Sequence, residues 1–205
     1  MEHTVDFFFE FASPYSFIAS VELRALSARI PLRILWRPID LKSVWQRQGL
    51  LDAYAVIRRA KRAYIQADAH RVAESLGIPM RRSRSSVRAD LARLVVYALD
   101  HESPGLGECF SENLFRRIWT EGHGLETWSD ICSALPPHID QSALCEDLSR
   151  AHVTQQLEQS HVEAAQLGCF GVPWFRAGDA SFFGQDRLPL LERYLCKGYA
   201  NPRET

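Results

Sequence analysis

The chain has 205 residues, of which 46% are hydrophobic and 24% are charged. This composition is typical of a globular protein and argues against intrinsic disorder. The formal net charge of −1 argues against a strongly basic nucleic-acid-binding protein. No run of about 18 consecutive apolar residues suggests a membrane span. We therefore expect neither nucleic acid nor a membrane as a partner.

The N-terminus and the cysteines indicate a reducing compartment. The first residues, MEHTVDFFFEF, are acidic and contain neither the basic region nor the cleavage site of a secretory signal, so a cytoplasmic protein is expected. The seven histidines lack the spacing of a helical metal site, and no metal site is predicted. The five cysteines form no C-x-x-C pair and are expected to be mostly buried and reduced; they are Cys109, Cys132, Cys145, Cys169 and Cys196.

The N-terminal part of the chain predicts a β-α-β unit. A β-prone run covers Val5 to Phe11. Ser13-Pro14 is the start signal of a helix over Tyr15 to Ala28, in which apolar residues recur at helical spacing. A second strand is predicted over Leu32 to Arg37. Two strands joined by a helix in so short a segment are expected to pair in parallel.

A long helical block separates this unit from the C-terminal elements. Strand character returns at Trp174 to Ala177 and at Ser181 to Phe183, which indicates a hairpin. A last helix over Gln185 to Cys196 precedes a loose tail over Tyr199 to Thr205. The helices predicted in the block cover Asp52 to Leu76, Ser86 to His101, Gly105 to Glu121, Thr127 to Leu135 and Ser142 to Leu167.

This order of elements predicts an α/β protein with a thioredoxin-like fold (βαβ…ββα) and a large all-helical insertion. Residues 1–38 and 168–205 are expected to form the thioredoxin-like domain, and residues 39–167 the inserted helical domain. The insertion is expected to close over one end of the sheet.

Ser13 is the first candidate functional residue. A helix N-terminus presents free N–H groups and the positive end of the helix dipole, which favour an anion such as a thiolate. Redox proteins of this fold carry a cysteine at this position. A serine cannot exchange disulfides, but it can donate a hydrogen bond to the thiolate of a ligand. The alternative is that Ser13 only caps its helix.

Two further segments are candidates for ligand binding. A proline just before the third strand of a thioredoxin-like fold is typically cis and faces the active turn, so a cis bond is predicted before Pro173. It leaves the backbone of Val172 free to pair with a peptide-like ligand; an ordinary trans loop proline is the alternative. In the turn before the last helix, Gln185 or Asp186 caps the helix, or Asp186 accepts from a ligand ammonium group.

Three motifs in register resemble the family of 2-hydroxychromene-2-carboxylate isomerases and kappa-class glutathione transferases. They are FASPYS after the first strand, FGVP before the third strand and FFGQDRLPLLE at the last helix, with the helical insertion between them. The resemblance covers essentially the whole chain. It implies a DsbA-like thioredoxin fold, glutathione as the cofactor and, commonly, a homodimer.

The resemblance also implies roles for the candidate residues. Ser13 would hydrogen-bond the glutathione sulfur. Val172, before the family's cis-proline at Pro173, would pair with the tripeptide backbone. Gln185 and Asp186 would hold the γ-glutamyl end.

The insertion contributes one more implied contact. Lys61, ahead of Tyr64, matches a lysine that precedes a Tyr-x-x-x-Asp/Asn segment and binds glutathione in kappa relatives; Arg62 is the adjacent alternative. The neighbouring basic residues are interpreted as a solvated helix face, or one or two of them as carboxylate-binding groups in the cleft. The set is Arg58, Arg59, Lys61, Arg62, Arg81, Arg82, Arg84 and Arg88.

The segment after the second strand departs from the family pattern. Relatives usually carry an Asn-(Lys/Arg)-Pro-Pro stretch, whose asparagine helps to bind glutathione or substrate, whereas this chain reads QRQGLLD from Gln46 to Asp52. We expect a shorter or rebuilt loop here. The tryptophans are more often core residues than site residues; Trp45, in the same loop, is the one on which an aromatic substrate could stack.

The function predicted from the sequence is that of a glutathione-dependent isomerase of a small aromatic 2-oxo acid. In this hypothesis the thiolate adds reversibly to a conjugated double bond, and rotation about the resulting single bond gives the isomer. Two alternatives stay open: a kappa-type glutathione transferase that releases a conjugate, and a non-catalytic peptide-binding protein of the thioredoxin fold.

Overall fold

A computed structural model describes residues 2–81 and 86–197 of the chain. The predicted tail over Tyr199 to Thr205 lies outside the described residues. The interpretation of the basic cluster likewise falls in part on side chains outside them, namely those of Arg58, Arg59, Arg62, Arg82 and Arg84.

The strands of the described chain form one mixed sheet in the order β2-β1-β3-β4. Strand β1 (His3–Phe9) pairs in parallel with β2 (Leu32–Pro38) and antiparallel with β3 (Trp174–Ala177). Strand β3 pairs antiparallel with β4 (Ala180–Phe183), and helix α1 (Pro14–Ser27) joins β1 to β2. The predicted thioredoxin-like arrangement, βαβ…ββα, is therefore confirmed.

Seven helices in the described part of the chain lie between β2 and β3, in the segment predicted to be a helical insertion. A 3-10 turn over Gln185–Arg187 then leads into α9 at the C-terminal end of the sheet. No helix in residues 2–81 or 86–197 is long and apolar enough to cross a membrane. The helices are α2 (Leu41–Arg47), α3 (Leu51–Ser75), α4 (Asp90–Glu102), α5 (Leu106–Trp119), α6 (Trp128–Cys132), α7 (Gln141–Leu148), α8 (Ala151–Gln166) and α9 (Leu188–Lys197).

Several elements differ from the predictions; for example, α4 begins at Asp90 rather than Ser86, and α6 ends at Cys132 rather than Leu135. Strand β1 ends at Phe9 rather than Phe11, because the chain turns there and the carbonyl of Glu10 accepts a hydrogen bond from the Ser13 amide (3.0 Å). The single helix predicted over residues 142–167 is two helices, since Arg150 adopts an extended conformation between them. Helix α2 was not predicted at all, although Asp40 caps it by accepting from the Ser43 amide (3.2 Å).

The phenylalanines of β1 divide the core between the two faces of the sheet. Phe7 and Phe9 belong to a large buried cluster that extends through α1, α4 and α5. Phe8 points to the opposite face, where a smaller cluster includes Trp45 of α2 and Trp174 of β3. This alternation is the two-residue period of a strand buried on both sides. The division of the chain into a domain of residues 1–38 and 168–205 and a domain of residues 39–167 stays a prediction.

The prediction that the cysteines are mostly buried is wrong. Cys169 is buried, whereas Cys109, Cys145 and Cys196 are exposed and Cys132 is half-buried. The exposed three lie on amphipathic helices at positions adjacent to the buried stripe, rather than on it. All five cysteines are free thiols.

Buried His161 ties α8 to the start of α2. Its Nε2 accepts a hydrogen bond from the backbone N–H of Asp40 (2.9 Å), and its Nδ1 lies 3.7 Å from the carboxylate of Glu158, which also pairs with Arg47. Burial is the main cause that lowers the pKa of His161, and the charges of Arg47 and Arg93 lower it further, against the opposing effects of Asp40 and Glu158. The imidazole is therefore neutral at pH 7, as the acceptor role of Nε2 requires.

We predict that His161 makes the protein less stable in mild acid. Because its pKa is lowered on folding, the unfolded chain binds the proton more readily. The stabilisation of the folded state by His161 is thus present above about pH 6.5, the ordinary pKa of histidine. It is lost as the pH falls towards the lowered pKa of the folded state. Urea denaturation measures the free energy of unfolding at about pH 7.5 and at about pH 5.5. The decrease between the two pH values should be smaller for His161→Gln than for the wild type. His138→Gln, at an exposed histidine, is the control and should show the same decrease as the wild type. The same decrease in both variants would contradict this prediction.

Candidate active site

The segments predicted to bind a ligand meet at one end of the sheet. Phe8 of β1 pairs with Trp174 of β3, and Trp174 pairs with Phe183 of β4. The residues that follow β1, precede β3 and follow β4 must therefore lie at the same end. A hydrogen bond from the Gly184 amide to the Pro173 carbonyl (3.0 Å) joins two of these segments directly.

Ser13 caps α1 and keeps its hydroxyl proton available. Its backbone is extended (φ −92°, ψ 117°), its Oγ accepts a hydrogen bond from the Ser16 amide (3.2 Å), and Pro14 follows at the first helical position. Capping uses a lone pair of Oγ, whereas binding a thiolate uses the proton, so the two roles predicted for Ser13 are compatible. Within the described residues neither this proton nor the N–H of Tyr15 has an acceptor. Two donors therefore converge at the helix N-terminus.

The peptide bond between Val172 and Pro173 is cis, which confirms that prediction. Pro173 is buried and Val172 is half-buried, immediately before β3 begins at Trp174. In the described part of the chain, the N–H and C=O of Val172 make no backbone hydrogen bond. They remain available to an extended ligand that pairs with this segment as a strand would.

Gln185 and Asp186 form the 3-10 turn that follows Gly184. Gly184 has a φ of +101°, and a side chain there would collide with the carboxylate of Asp186, so the turn requires glycine. Gly184, rather than Gln185 or Asp186, is the N-cap of this turn, and no side-chain hydrogen bond among the described residues caps the turn. Asp186 is exposed and pairs with Arg187 (3.3 Å).

The surroundings of Asp186 suit a positively charged ligand group. Helix α1 packs against the 3-10 turn. Burial, and after it the charge of Asp186, raises the pKa of Glu22 on α1. The negative charge of Asp186 therefore acts on Glu22, and an ammonium group bound there would favour the ionised form of Glu22.

Lys61 is exposed on α3, the insertion helix that contacts α1. Within the described chain it makes no ion pair. The same helix reaches the active turn through the hydroxyl of Tyr15, which donates a hydrogen bond to the carboxylate of Asp68 (2.7 Å). Burial and this bond raise the pKa of Tyr15 well above its usual value, so the hydroxyl stays protonated as a donor. The roles assigned to the candidate residues stay predictions.

Trp45 is a core residue, so the interpretation as a stacking surface for substrate is wrong. Trp45 belongs to α2, is only 5% exposed, and donates a hydrogen bond from its indole N–H to the carbonyl of Phe170 (3.1 Å). Gln48, just beyond α2, donates to the carbonyls of Ala165 (3.3 Å) and Cys169 (3.2 Å). The segment from Gln46 to Asp52 is thus the end of α2, a turn and the start of α3, and α2 with Gln48 holds the chain leading to Pro173.

The holding role of α2 was missed at the sequence level, though a signal was present. Leu41, Val44 and Trp45 are its buried residues, and their i, i+3, i+4 spacing is that of one helix face. The short length of the helix and the preceding Pro38 obscured the pattern.

Cys169, close to Pro173 in the chain, does not supply a reactive thiolate. Burial raises the pKa of Cys169 to about 12, and the thiol donates a hydrogen bond to the carbonyl of Gly171 (3.3 Å). Among the residues that the structure describes, no group of three or more His, Cys, Asp or Glu side chains is arranged to hold a metal ion. A thiolate at this site therefore does not come from Cys169.

Comparison with known proteins agrees with this arrangement. The chain matches the DSBA-like thioredoxin domain over residues 4–196. It is 30% identical to 2-hydroxychromene-2-carboxylate isomerase of Sphingobium xenophagum, over 95% of this chain and 99% of the relative. It is 24% identical to human glutathione S-transferase kappa 1, over 98% of this chain and 95% of the relative. The solved structure of a 2-hydroxychromene-2-carboxylate isomerase superposes with a TM-score of 0.78 at 26% identity, covering 95% of each chain.

Fold and site together define a DSBA-like thioredoxin-domain protein with serine at the N-cap of its first helix. More particularly, the chain belongs to the family of 2-hydroxychromene-2-carboxylate isomerases and kappa-class glutathione transferases, as the motif resemblance predicted.

We predict that Gln48 holds the segment before Pro173 in place. Gln48→Ala removes two hydrogen bonds to backbone carbonyls and should lower the free energy of unfolding by about 1–2 kcal/mol. Hydrogen exchange of residues 169–172 should become faster at the same time. Gln46→Ala, at an exposed position in the last turn of α2, is the matched control. It should change neither the free energy of unfolding nor the rate of exchange. Equal effects of the two substitutions would refute the holding role.

Proposed function

We propose that this protein is a glutathione-dependent isomerase that acts on a small aromatic 2-oxo acid, as the names of its relatives suggest. One observation carries the proposal. Ser13 caps α1 at the end of the sheet where Val172 and Asp186 also lie, and its hydroxyl proton has no acceptor within the described residues. A thiol ligand placed there meets the hydroxyl and the positive end of the helix dipole, both of which favour the thiolate.

The residues of the site fit a γ-glutamyl tripeptide. The free N–H and C=O of Val172 suit its central peptide groups. Asp186, with Gln185 beside it, suits the γ-glutamyl ammonium group, and Lys61 suits a carboxylate. Each end of the ligand thus has a side chain of opposite charge, while the middle has backbone partners.

The chain's own residues account for activation and orientation. When bound, glutathione supplies a thiolate that adds to a conjugated double bond of the substrate and leaves again after rotation, so it is not consumed. Ser13 stabilises the thiolate by donating its hydroxyl proton in a hydrogen bond. The N–H of Tyr15 adds a second donor at the same helix terminus. The buried Cys169, whose pKa is raised to about 12, does not compete as a thiolate at neutral pH.

The proposal extends to the setting of the enzyme. A cytoplasmic location is supported by the five free cysteines, which persist in a reducing compartment. The homodimer rests on the family resemblance. A kappa-type glutathione transferase is the second candidate, because human and nematode kappa-class transferases align over nearly the whole chain.

Ser13→Ala should weaken both glutathione binding and turnover. Losing a hydrogen bond to a charged group corresponds to about 10- to 100-fold in rate, and the pKa of the bound thiol, followed by the ultraviolet absorbance of the thiolate, should rise. Calorimetric titration with reduced glutathione measures the binding. Asp140→Ala removes the N-cap of α7, so it has a similar structural effect away from the site and should bind glutathione like the wild type. Full turnover by Ser13→Ala would eliminate the proposed role.

Product analysis should separate an isomerase from a transferase. We expect the protein to convert 2-hydroxychromene-2-carboxylate to its ring-opened isomer with substoichiometric glutathione, and free thiol should stay constant throughout the reaction. Chromatography of the products, with thiol titration in parallel, checks both points. Consumption of one glutathione for each substrate, with a stable conjugate, would establish the transferase instead. Saturable glutathione binding without either product would reject this substrate class.

A further inference from the structure

Tyr15 links the active turn to the helical insertion. Its hydroxyl donates to Asp68 Oδ2 (2.7 Å), and the other oxygen of that carboxylate, Oδ1, pairs with Arg71 (3.1 Å). Tyr15 follows Ser13 by two residues at the start of α1, whereas Asp68 lies on α3. The bond therefore joins two residues that are 53 positions apart in sequence and lie on different helices. No other hydrogen bond between side chains of α1 and α3 is present among the described residues.

The acceptor lies on a stripe of α3 that includes Lys61. Lys61, Tyr64, Asp68 and Arg71 are spaced by three, four and three residues, so they line one side of the helix. The guanidinium of Arg71 lies 5.9 Å from the centre of the Tyr64 ring, as expected for neighbours on that side. Because Asp68 contacts the active turn, this side of α3 faces the turn.

The distance along α3 can be covered by the proposed ligand together with the Lys61 side chain. Lys61 precedes Asp68 by two helical turns, which is about 10 Å along the axis. An extended tripeptide is about 10 Å long, and because its sulfur is on the central residue, about half of that length lies between the sulfur and either end. With the sulfur at Ser13, the long side chain of Lys61 must cover the remaining distance to an anionic end.

We propose that Asp68 is a positioning residue, which accepts the hydrogen bond of Tyr15 and thereby holds Lys61 where it binds an anionic end of the thiol ligand. This inference rests on the proposed function. The ion pair with Arg71 balances the charge of Asp68, so the carboxylate can lie near the active turn without repelling an anion bound at the N-terminus of α1. The hydrogen bond from Tyr15 and the Arg71 guanidinium keep the pKa of Asp68 low, in agreement with an ionised acceptor.

A thermodynamic cycle between two residues that do not touch tests this role. Tyr15→Phe and Lys61→Met should each weaken glutathione binding by about 5- to 10-fold in calorimetric titrations. The double variant should be little weaker than either single one, because Lys61 has already lost its position in Tyr15→Phe. For Tyr15→Phe the loss should appear mainly in glutathione affinity, and turnover at saturating glutathione should fall by much less than in Ser13→Ala, since the Ser13 hydroxyl and the backbone N–H of residue 15 are both kept.

Three further variants separate positioning from general damage. Asp68→Asn keeps an oxygen that accepts from Tyr15 and should retain most of the affinity, whereas Asp68→Leu should match Tyr15→Phe. Tyr194→Phe removes a tyrosine hydroxyl on α9, which has no hydrogen-bond partner among the described residues, and should bind like the wild type. The Asp68 pair gives the same comparison if Tyr15→Phe does not fold.

The two proposals fail in different ways. If the wild type binds glutathione and the losses from Tyr15→Phe and Lys61→Met multiply in the double variant, the positioning role is overturned and the proposed function stands. The same holds if Asp68→Leu binds as tightly as Asp68→Asn. If the wild type shows no saturable binding of glutathione, the proposed function fails and the positioning role fails with it.

Discussion

The pairing of Phe8 with Trp174, and of Trp174 with Phe183, is the constraint on which the site depends. These two contacts align the ends of β1, β3 and β4. Any shift in register would move the turn with Ser13 relative to Val172, and a shift by one residue would also turn every side chain of a strand to the opposite face. Since both faces of β1 are buried, such a shift is strongly disfavoured. The stability of the core and the geometry of the site thus have the same origin.

A second consequence concerns the source of the reactive sulfur. The described site has a helix N-terminus with donors for a thiolate, but the nearest cysteine in sequence to Pro173, Cys169, is buried with its thiol directed to a carbonyl. The scaffold has kept the electrostatic features that stabilise a thiolate and has no sulfur of its own to place there. Under the proposed function, this combination suits chemistry with the thiol of a bound cofactor rather than disulfide exchange.

How far the sequence predicted the structure depended on whether the signal was local. The strands, the cap at Ser13 and the turn at Gly184 follow from short patterns of residue type, and most were recognised from them. The cis bond before Pro173 was predicted from the fold together with the turn. The role of Trp45 was misjudged because burial depends on what packs against a residue, and α8 with the chain beyond it covers Trp45 from a distant part of the sequence. The bond between Tyr15 and Asp68 joins two polar residues with no periodic pattern, so only the folded arrangement reveals it.

The helical insertion supports the site from two sides. Helix α2, with Gln48, holds the segment that leads to Val172, while α3 holds the turn with Ser13 through Tyr15. The sheet contributes mainly backbone groups, which suit a peptide-like cofactor and distinguish poorly between substrates. The insertion also packs on the sheet and on α1, since residues of α4 and α5 belong to the same buried cluster as Phe7 and Phe9. Because α2 and Gln48 hold the segment before Val172, and α3 carries Asp68 and Lys61, a change in either helix would alter the site that the proposed cofactor occupies.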